Sequence, residues 1–213
     1  MHSRRFGAGI IGVLLAVSAV CVLRIPDRVE VPWGMFARFS VGGSRWAVCF
    51  LLPGVAALVW GAATLFPRID PKGERYAEFL DTYWLIMNAG LLFIAVVQGL
   101  VLASALGAPV PLGRYSGVGA GTLAMVIGNY VSRLRPDWFI GIRTPWTRSS
   151  ESVWKQTHRF AGRLIVAGGG VVILVSAFTT VPLGMSMSVM CAVVAGLSLI
   201  QSYAAWRREQ RAR

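Results

Sequence analysis

Long apolar runs separated by short polar segments dominate this chain. Six runs contain no Asp, Glu, Lys, Arg or His, and each is long enough to cross the roughly 30 Å hydrocarbon core of a bilayer as a helix. They are Phe6–Leu23, Trp46–Phe66, Thr82–Leu106, Tyr115–Ser132, Leu164–Val181 and Leu183–Trp206. The pattern predicts an all-α fold, a polytopic membrane helix bundle with six transmembrane helices.

Two boundaries stay open at this level. The fifth and sixth runs meet at Val181-Pro182-Leu183, where the proline either ends one helix before a tight turn or kinks a single long helix. The first run follows Arg4 and Arg5 and has the shape of a cleaved signal peptide. An uncleaved first helix instead fits an even number of spans with both termini on one side.

The distribution of basic residues orients the bundle. Only 14% of the 213 residues are charged, 55% are hydrophobic, and the formal net charge is +12. Lys and Arg are concentrated at the N-terminus, in the second and fourth loops and in the C-terminal tail, so the positive-inside rule predicts an N-in/C-in topology. Topology and contact with membrane lipid explain the positive charge. No soluble basic domain is visible, so no direct nucleic-acid partner is predicted.

No linker rich in Ser or Pro divides the chain, so we expect one membrane domain. Residues 1–110 form an N-terminal three-span region, and residues 111–213 form a C-terminal three-span region with a cytoplasmic loop over 133–163. The first external loop, Arg24–Arg45, is rich in turn-forming residues and is expected to be irregular. Asp70-Pro71 predicts the start of a polar helix that leads into the third span.

Small residues recur at four-residue spacing in two of the runs. In lipid, such positions let helix backbones approach closely. They predict packing faces inside the bundle, with a dimer interface as the alternative. The positions are Gly113, Gly117 and Gly121, followed by Ala124 and Gly128, near the fourth run, and Ala8, Gly12 and Ala16 in the first.

The runs carry few groups that could perform chemistry. Ionisable residues are absent from them, which argues against pumps, proton-coupled carriers and intramembrane proteases. A small passive channel or a lipid-interacting transporter remains the alternative class. Asn88 and Gln98 predict hydrogen bonds between helices. With two His and three Cys, all three Cys inside apolar runs, we predict no metal site, no cofactor and no catalytic residues, and therefore no enzyme.

Polar and aromatic groups concentrate between Asn129 and Gly162. Gly141 permits a tight turn, and Pro136 and Pro145 hold extended segments. Arg143 lies close in sequence to Trp146 and offers a planar cation suited to a phosphate or a carboxylate. This part of the loop either lies among lipid headgroups or recognises a specific ligand.

After Thr147 the pattern becomes helical, with Ser149 or Ser150 as the cap. Charged residues then recur at steps of four and form a basic ridge, in which one acidic residue is followed by three basic ones. It predicts an amphipathic cytoplasmic helix before the fifth span, which contacts either an anionic membrane surface or an acidic protein. His158 is expected to be a structural hydrogen-bond donor. The ridge consists of Glu151, Lys155, Arg159 and Arg163.

This segment resembles the SdpI family of bacterial membrane proteins, named for an immunity protein against a secreted peptide toxin. The similarity also extends upstream, although the first external loop has Val31-Pro32-Trp33-Gly34 where the family usually has a Pro-x-His-x-Asn-like element, and Arg148 replaces a frequent Leu. The matching positions are Asn129, Gly141-Ile142-Arg143-Thr144-Pro145-Trp146-Thr147, Glu151, Val153-Trp154, Thr157-His158-Arg159 and Gly162, with Ile25-Pro26, Pro53, Ile69-Asp70-Pro71, Tyr76, Phe79 and Tyr83 upstream.

The resemblance implies a non-enzymatic, multi-pass protein of the bacterial inner membrane. It would give resistance to a secreted peptide toxin and hold a cytoplasmic repressor at the membrane through the basic loop 133–163. The candidate residues for binding a partner or ligand are Asn129, Gly141, Arg143, Thr144, Pro145, Trp146, Thr147, Glu151, Trp154, Thr157, His158 and Arg159.

Overall fold

The computed structural model describes residues 2–32, 40–69, 80–132 and 141–211. The predicted helix start at Asp70-Pro71 and the extended segment at Pro136 lie outside these ranges. Helices account for almost all of the described chain. The elements are α1 His2–Cys21, β1 Arg28–Pro32, β2 Ser40–Ser44, α2 Arg45–Ile69, α3 Leu80–Ala105, α4 Leu112–Val131, α5 Pro145–Ser149, α6 Glu151–Phe178 and α7 Leu183–Arg211.

The predicted membrane helix bundle is confirmed. Within the described ranges, α1, α2, α3, α6 and α7 are long and apolar enough to span a bilayer. α4 occupies the fourth predicted run and has 20 residues, but its many glycines and its Arg114 and Asn129 make it less apolar. The count of six spans and the N-in/C-in orientation stay predictions.

α6 and α7 are separate helices. α6 ends at Phe178, the cap residue Thr179 has extended backbone angles, and α7 begins at Leu183 directly after Pro182. The alternative of one long kinked helix is therefore wrong. Proline lacks an N–H and its ring fits the first turn of a helix, so Pro182 suits the start of α7.

The loop between α1 and α2 is more regular than its turn-forming residues suggest. β1 and β2 form an antiparallel hairpin in which Val29 pairs with Gly43 and Val31 pairs with Val41. The Arg45 backbone N–H donates to the Asp27 carbonyl oxygen at 3.2 Å, and their side chains form an ion pair at 3.3 Å. Within the part of this loop that the structure describes, residues 24–32 and 40–45, the prediction of an irregular loop is wrong because two of its glycines pair within β2 rather than forming a turn.

The closest helix contact joins α4 and α6 through paired glycines. A Cβ atom on Gly162 would lie 2.6 Å from the Gly128 carbonyl oxygen, and one on Gly169 would lie 2.7 Å from that of Gly121. These pairs recur at seven-residue spacing on antiparallel helices, so the two helix backbones are in direct contact at two positions. A third close contact follows at Gly117, where a Cβ atom would collide with the Ser176 side chain. The predicted packing face of α4 is confirmed.

The corresponding prediction for α1 is wrong. Ala8, Gly12 and Ala16 are exposed on the outer face of α1, and no atom outside the helix lies within 4 Å of a Cβ built on Gly12. The face that packs against the bundle carries Gly7, Ile11, Leu14 and Ser18. Both faces of α1 are apolar, so hydrophobic periodicity does not distinguish the lipid side from the protein side.

Gln98 connects three helices, as predicted. Its Nε2 donates to Ser18 Oγ of α1 at 3.2 Å and to the Cys49 carbonyl oxygen of α2 at 2.9 Å. In an unbroken helix that carbonyl would accept from the residue four positions later, which here is Pro53 and has no N–H. Gln98 therefore supplies the donor that Pro53 lacks, in a region where water cannot.

Replacing Gln98 with leucine is expected to lower the free energy of unfolding by about 1 kcal/mol, since the Cys49 carbonyl loses its donor. Pro53→Ala restores an N–H inside α2. In that variant, replacing Gln98 with leucine should therefore lower the free energy of unfolding by less. A double-mutant cycle followed by unfolding in detergent measures the difference. Equal costs in both backgrounds would show that Gln98 does not act through the carbonyl freed by Pro53.

Candidate functional site

The segment Gly141–Ser149 folds onto the start of α6 and the end of α7. We call residues 141–150, with their contacts to α6 and α7, the clasp. Its short helix α5 begins with a capping box: the Thr147 N–H donates to Thr144 Oγ1 at 3.1 Å, and the Thr144 N–H donates to Thr147 Oγ1 at 2.8 Å. Pro145 follows at the first helical position, where its missing N–H costs nothing. Thr144 and Thr147 are both buried, so they build the clasp rather than face a partner.

Gly141 is required at the start of the clasp for two reasons. Its φ is +119°, a region that L side chains rarely adopt. A Cβ atom there would also lie 2.6 Å from His158 Nε2 and 2.7 Å from the Trp154 ring. The backbone therefore passes directly over two α6 side chains.

His158 holds this backbone in place. The Ile142 N–H donates to His158 Nε2 at 3.0 Å, and His158 Nδ1 lies 3.0 Å from the Trp154 carbonyl oxygen. A nitrogen that accepts carries no proton, so the ring is neutral and its Nδ1–H donates to Trp154. The ring also stacks on Trp154 at a centroid distance of 4.0 Å, and both side chains are buried. His158 is the structural group predicted from the sequence, although it accepts as well as donates.

A second set of contacts joins the clasp to α7. Trp146 Nε1 donates to Ser202 Oγ, and its ring packs against Tyr203 and Trp206 with centroids 5.4 and 6.4 Å apart. The aromatic contacts of Trp146 thus come from α7. Tyr203 and Trp206 were not among the predicted site residues. The four-residue spacing of Ser202 and Trp206 on one face of α7 indicates a shared contact.

Ser150 closes the clasp. It caps α6, with its Oγ accepting from the Val153 N–H at 3.3 Å, and it donates to Glu209 Oε2 of α7 at 2.6 Å. Glu209 was not among the predicted site residues. One serine therefore connects the start of α6 to the last turns of α7.

The basic ridge lies on the start of a long helix. α6 runs without interruption from Glu151 to Phe178, so the predicted amphipathic helix and the fifth span are one helix. Glu151 and Lys155 form an ion pair at 3.0 Å, and each side chain is more than half exposed, so the pair stabilises the helix little.

The predicted site residues fall into two groups. Thr144, Thr147, Trp154, Thr157 and His158 are buried, and Trp146 is partly buried, so with Gly141 they shape the clasp. Arg143, Pro145, Glu151 and Arg159 are exposed around it, and Asn129 is exposed on α4. Only the second group offers side chains to a partner. Among the described residues, no group of three His, Cys, Asp or Glu side chains could hold a metal ion.

Comparison with known proteins supports the resemblance carried by this segment. Residues 133–210 match the family model of the SdpI/YfhL protein family. The chain is 29% identical over 179 residues to the protein called Immunity protein SdpI from Bacillus subtilis (strain 168), which covers 84% of each chain. No solved structure matches the chain. The resemblance is confirmed, and the residues that match the SdpI/YfhL family model include the whole clasp.

Proposed function

We propose that this chain is a non-enzymatic immunity protein of the bacterial inner membrane that protects the cell against a secreted peptide toxin. The observation that carries the proposal is its similarity to Immunity protein SdpI over 84% of both chains. The five helices that are long and apolar enough to span a bilayer support a multi-pass protein.

We further propose that the clasp is the surface that captures a cytoplasmic regulator. Arg143 and Arg148 are exposed on the clasp, and Lys155 is exposed on the adjoining face of α6. Buried contacts to α6 and α7 fix the backbone that carries the first two. A rigid basic surface suits a partner with an acidic face, because complementary charge speeds encounter and excludes wrong partners. The proposed partner is therefore an acidic surface of a repressor protein.

Survival of toxin-treated cells tests this function. The chain is produced in a Bacillus subtilis strain that lacks SdpI, and the cells are exposed to the toxin that kills this strain. We expect the wild-type chain to raise survival.

Co-purification of the regulator with the membrane protein tests the role of the clasp. We expect Arg143→Ala to reduce the amount of co-purified regulator by roughly fivefold or more, since a hydrogen bond to a charged group contributes about 1.5–3 kcal/mol before screening.

Arg114→Ala is the matched control, because Arg114 is also exposed but lies at the opposite end of α4 from Asn129. Unchanged killing of cells that produce the wild-type chain at normal membrane abundance would refute immunity. Equal regulator capture by the Arg143→Ala and Arg114→Ala variants would refute only the role of the clasp.

A further inference from the structure

A polar groove lies where α4 and α6 meet at the end of the bundle near the clasp. Its volume is about 450 Å³. Arg159 and Arg163 of α6, Asn129 of α4 and Ser132 directly after α4 line it, and all four are exposed. The Gly128–Gly162 backbone contact brings these side chains together, because neither glycine has a side chain to separate the helices.

The chemistry of the groove suits a phosphate group. Two guanidinium groups one helical turn apart repel each other unless an anion lies between them. The Asn129 amide and the Ser132 hydroxyl supply two further neutral donors. Planar guanidinium groups match the oxygens of a phosphate in a bidentate manner.

An apolar groove lies beside the polar one, on the neighbouring face of α6, and indicates what carries the phosphate. It lies between α6 and α7 and has a volume of about 440 Å³. Ala167 lines both grooves, so they share a wall. From Leu164 to Val175 the apolar groove follows α6 for roughly 17 Å at 1.5 Å per residue, which is about half of a 30 Å hydrocarbon core. That length matches an acyl chain in one leaflet.

We propose that these two grooves form a binding site for an anionic phospholipid. Its phosphate lies between Arg159 and Arg163, beside Asn129, and one acyl chain lies along α6 and α7. Arg163 directly precedes the predicted fifth span, so its guanidinium lies at the depth of the headgroups. The site needs neither a toxin nor a regulator, and it gives Asn129, Arg159 and Arg163 a ligand of defined chemistry.

Lipid retention by the purified full-length protein tests the site. The protein in detergent is mixed with equal amounts of phosphatidylglycerol and phosphatidylcholine of the same acyl chains, and bound lipid is counted by native mass spectrometry. We expect the wild type to prefer phosphatidylglycerol roughly tenfold, because two basic groups favour a headgroup of net negative charge over the zwitterionic headgroup of phosphatidylcholine. The double variant Arg159→Gln, Arg163→Gln should lose this preference, and Lys155→Gln, on the same ridge but outside the groove, should keep it.

Two results would overturn the proposal. One is an unchanged preference for phosphatidylglycerol in the double variant. The other is equal binding of inorganic phosphate alone in a parallel titration, which would make the groove a site for a free anion rather than a lipid. The changed side chains are exposed, so the variants are expected to fold. No toxin is present in this measurement, so its outcome is independent of the survival assay.

Discussion

Gly169→Ala is expected to lower the unfolding temperature of this protein by roughly 2–12 °C. The added Cβ would lie 2.7 Å from the Gly121 carbonyl oxygen and 3.1 Å from the Met125 backbone N, and neither backbone atom can move without separating α4 from α6. Overpacking of this kind costs about 1–3 kcal/mol, and each kcal/mol shifts the melting temperature of a chain of this size by about 2–4 °C. Thermal unfolding in a fixed detergent measures the shift.

The neighbouring residue supplies the control. Gly170 lies in the same helix, and no atom outside the helix backbone lies within 4 Å of a Cβ built there. Gly170→Ala should therefore leave the unfolding temperature unchanged or raise it slightly, because alanine is the better helix former. Equal shifts in the two variants would mean that the paired glycines do not hold α4 against α6.

Gly141→Ala is expected to release the clasp. Alanine at this position combines an unfavourable φ with a collision against His158 and Trp154, so the Ile142 N–H should lose its bond to the imidazole. Trypsin should then cut after Arg143 and Arg148 several-fold faster than in the wild type, because cleavage follows the population of the open segment. Peptide mass spectrometry identifies the cut sites and their rates.

Gly107→Ala separates the effect of an unfavourable φ from the effect of a collision with neighbouring side chains. Gly107 also has a positive φ, +92°, but no atom lies within 4 Å of its Cβ position. It should therefore incur the conformational strain without opening the clasp. If both variants were cleaved at the wild-type rate, the contact of the Gly141 backbone with His158 and Trp154 would not be what holds the segment.

The sequence pattern located the helices well because each run had to be long and apolar enough to cross lipid. It also identified the glycine face of α4, whose spacing is regular. It did not identify which residue of Gly168-Gly169-Gly170 on α6 meets that face. The choice depends on the rotation of α6, and in an apolar helix no polar side marks it. The misassigned face of α1 has the same cause.

The local contacts of the clasp could be predicted from the sequence, but its contacts with α7 could not. The capping pair Thr144 and Thr147 and the cap at Ser150 follow local rules, so they could be read from spacing. The contacts of Trp146 with Ser202 and of Ser150 with Glu209 join residues more than 50 positions apart. No periodicity reports such contacts, and they decide which side chains the clasp buries and which it leaves exposed.

The orientation of the clasp in the membrane is the arrangement on which capture of a cytoplasmic regulator depends. In a chain whose native cysteines, Cys21, Cys49 and Cys191, are replaced by alanine, Arg148→Cys places one thiol on the exposed surface of α5. A membrane-impermeant maleimide is expected to label it in inside-out vesicles and not in intact protoplasts. Labelling from the outside of protoplasts alone would place the clasp on the wrong side of the membrane and contradict the proposed function.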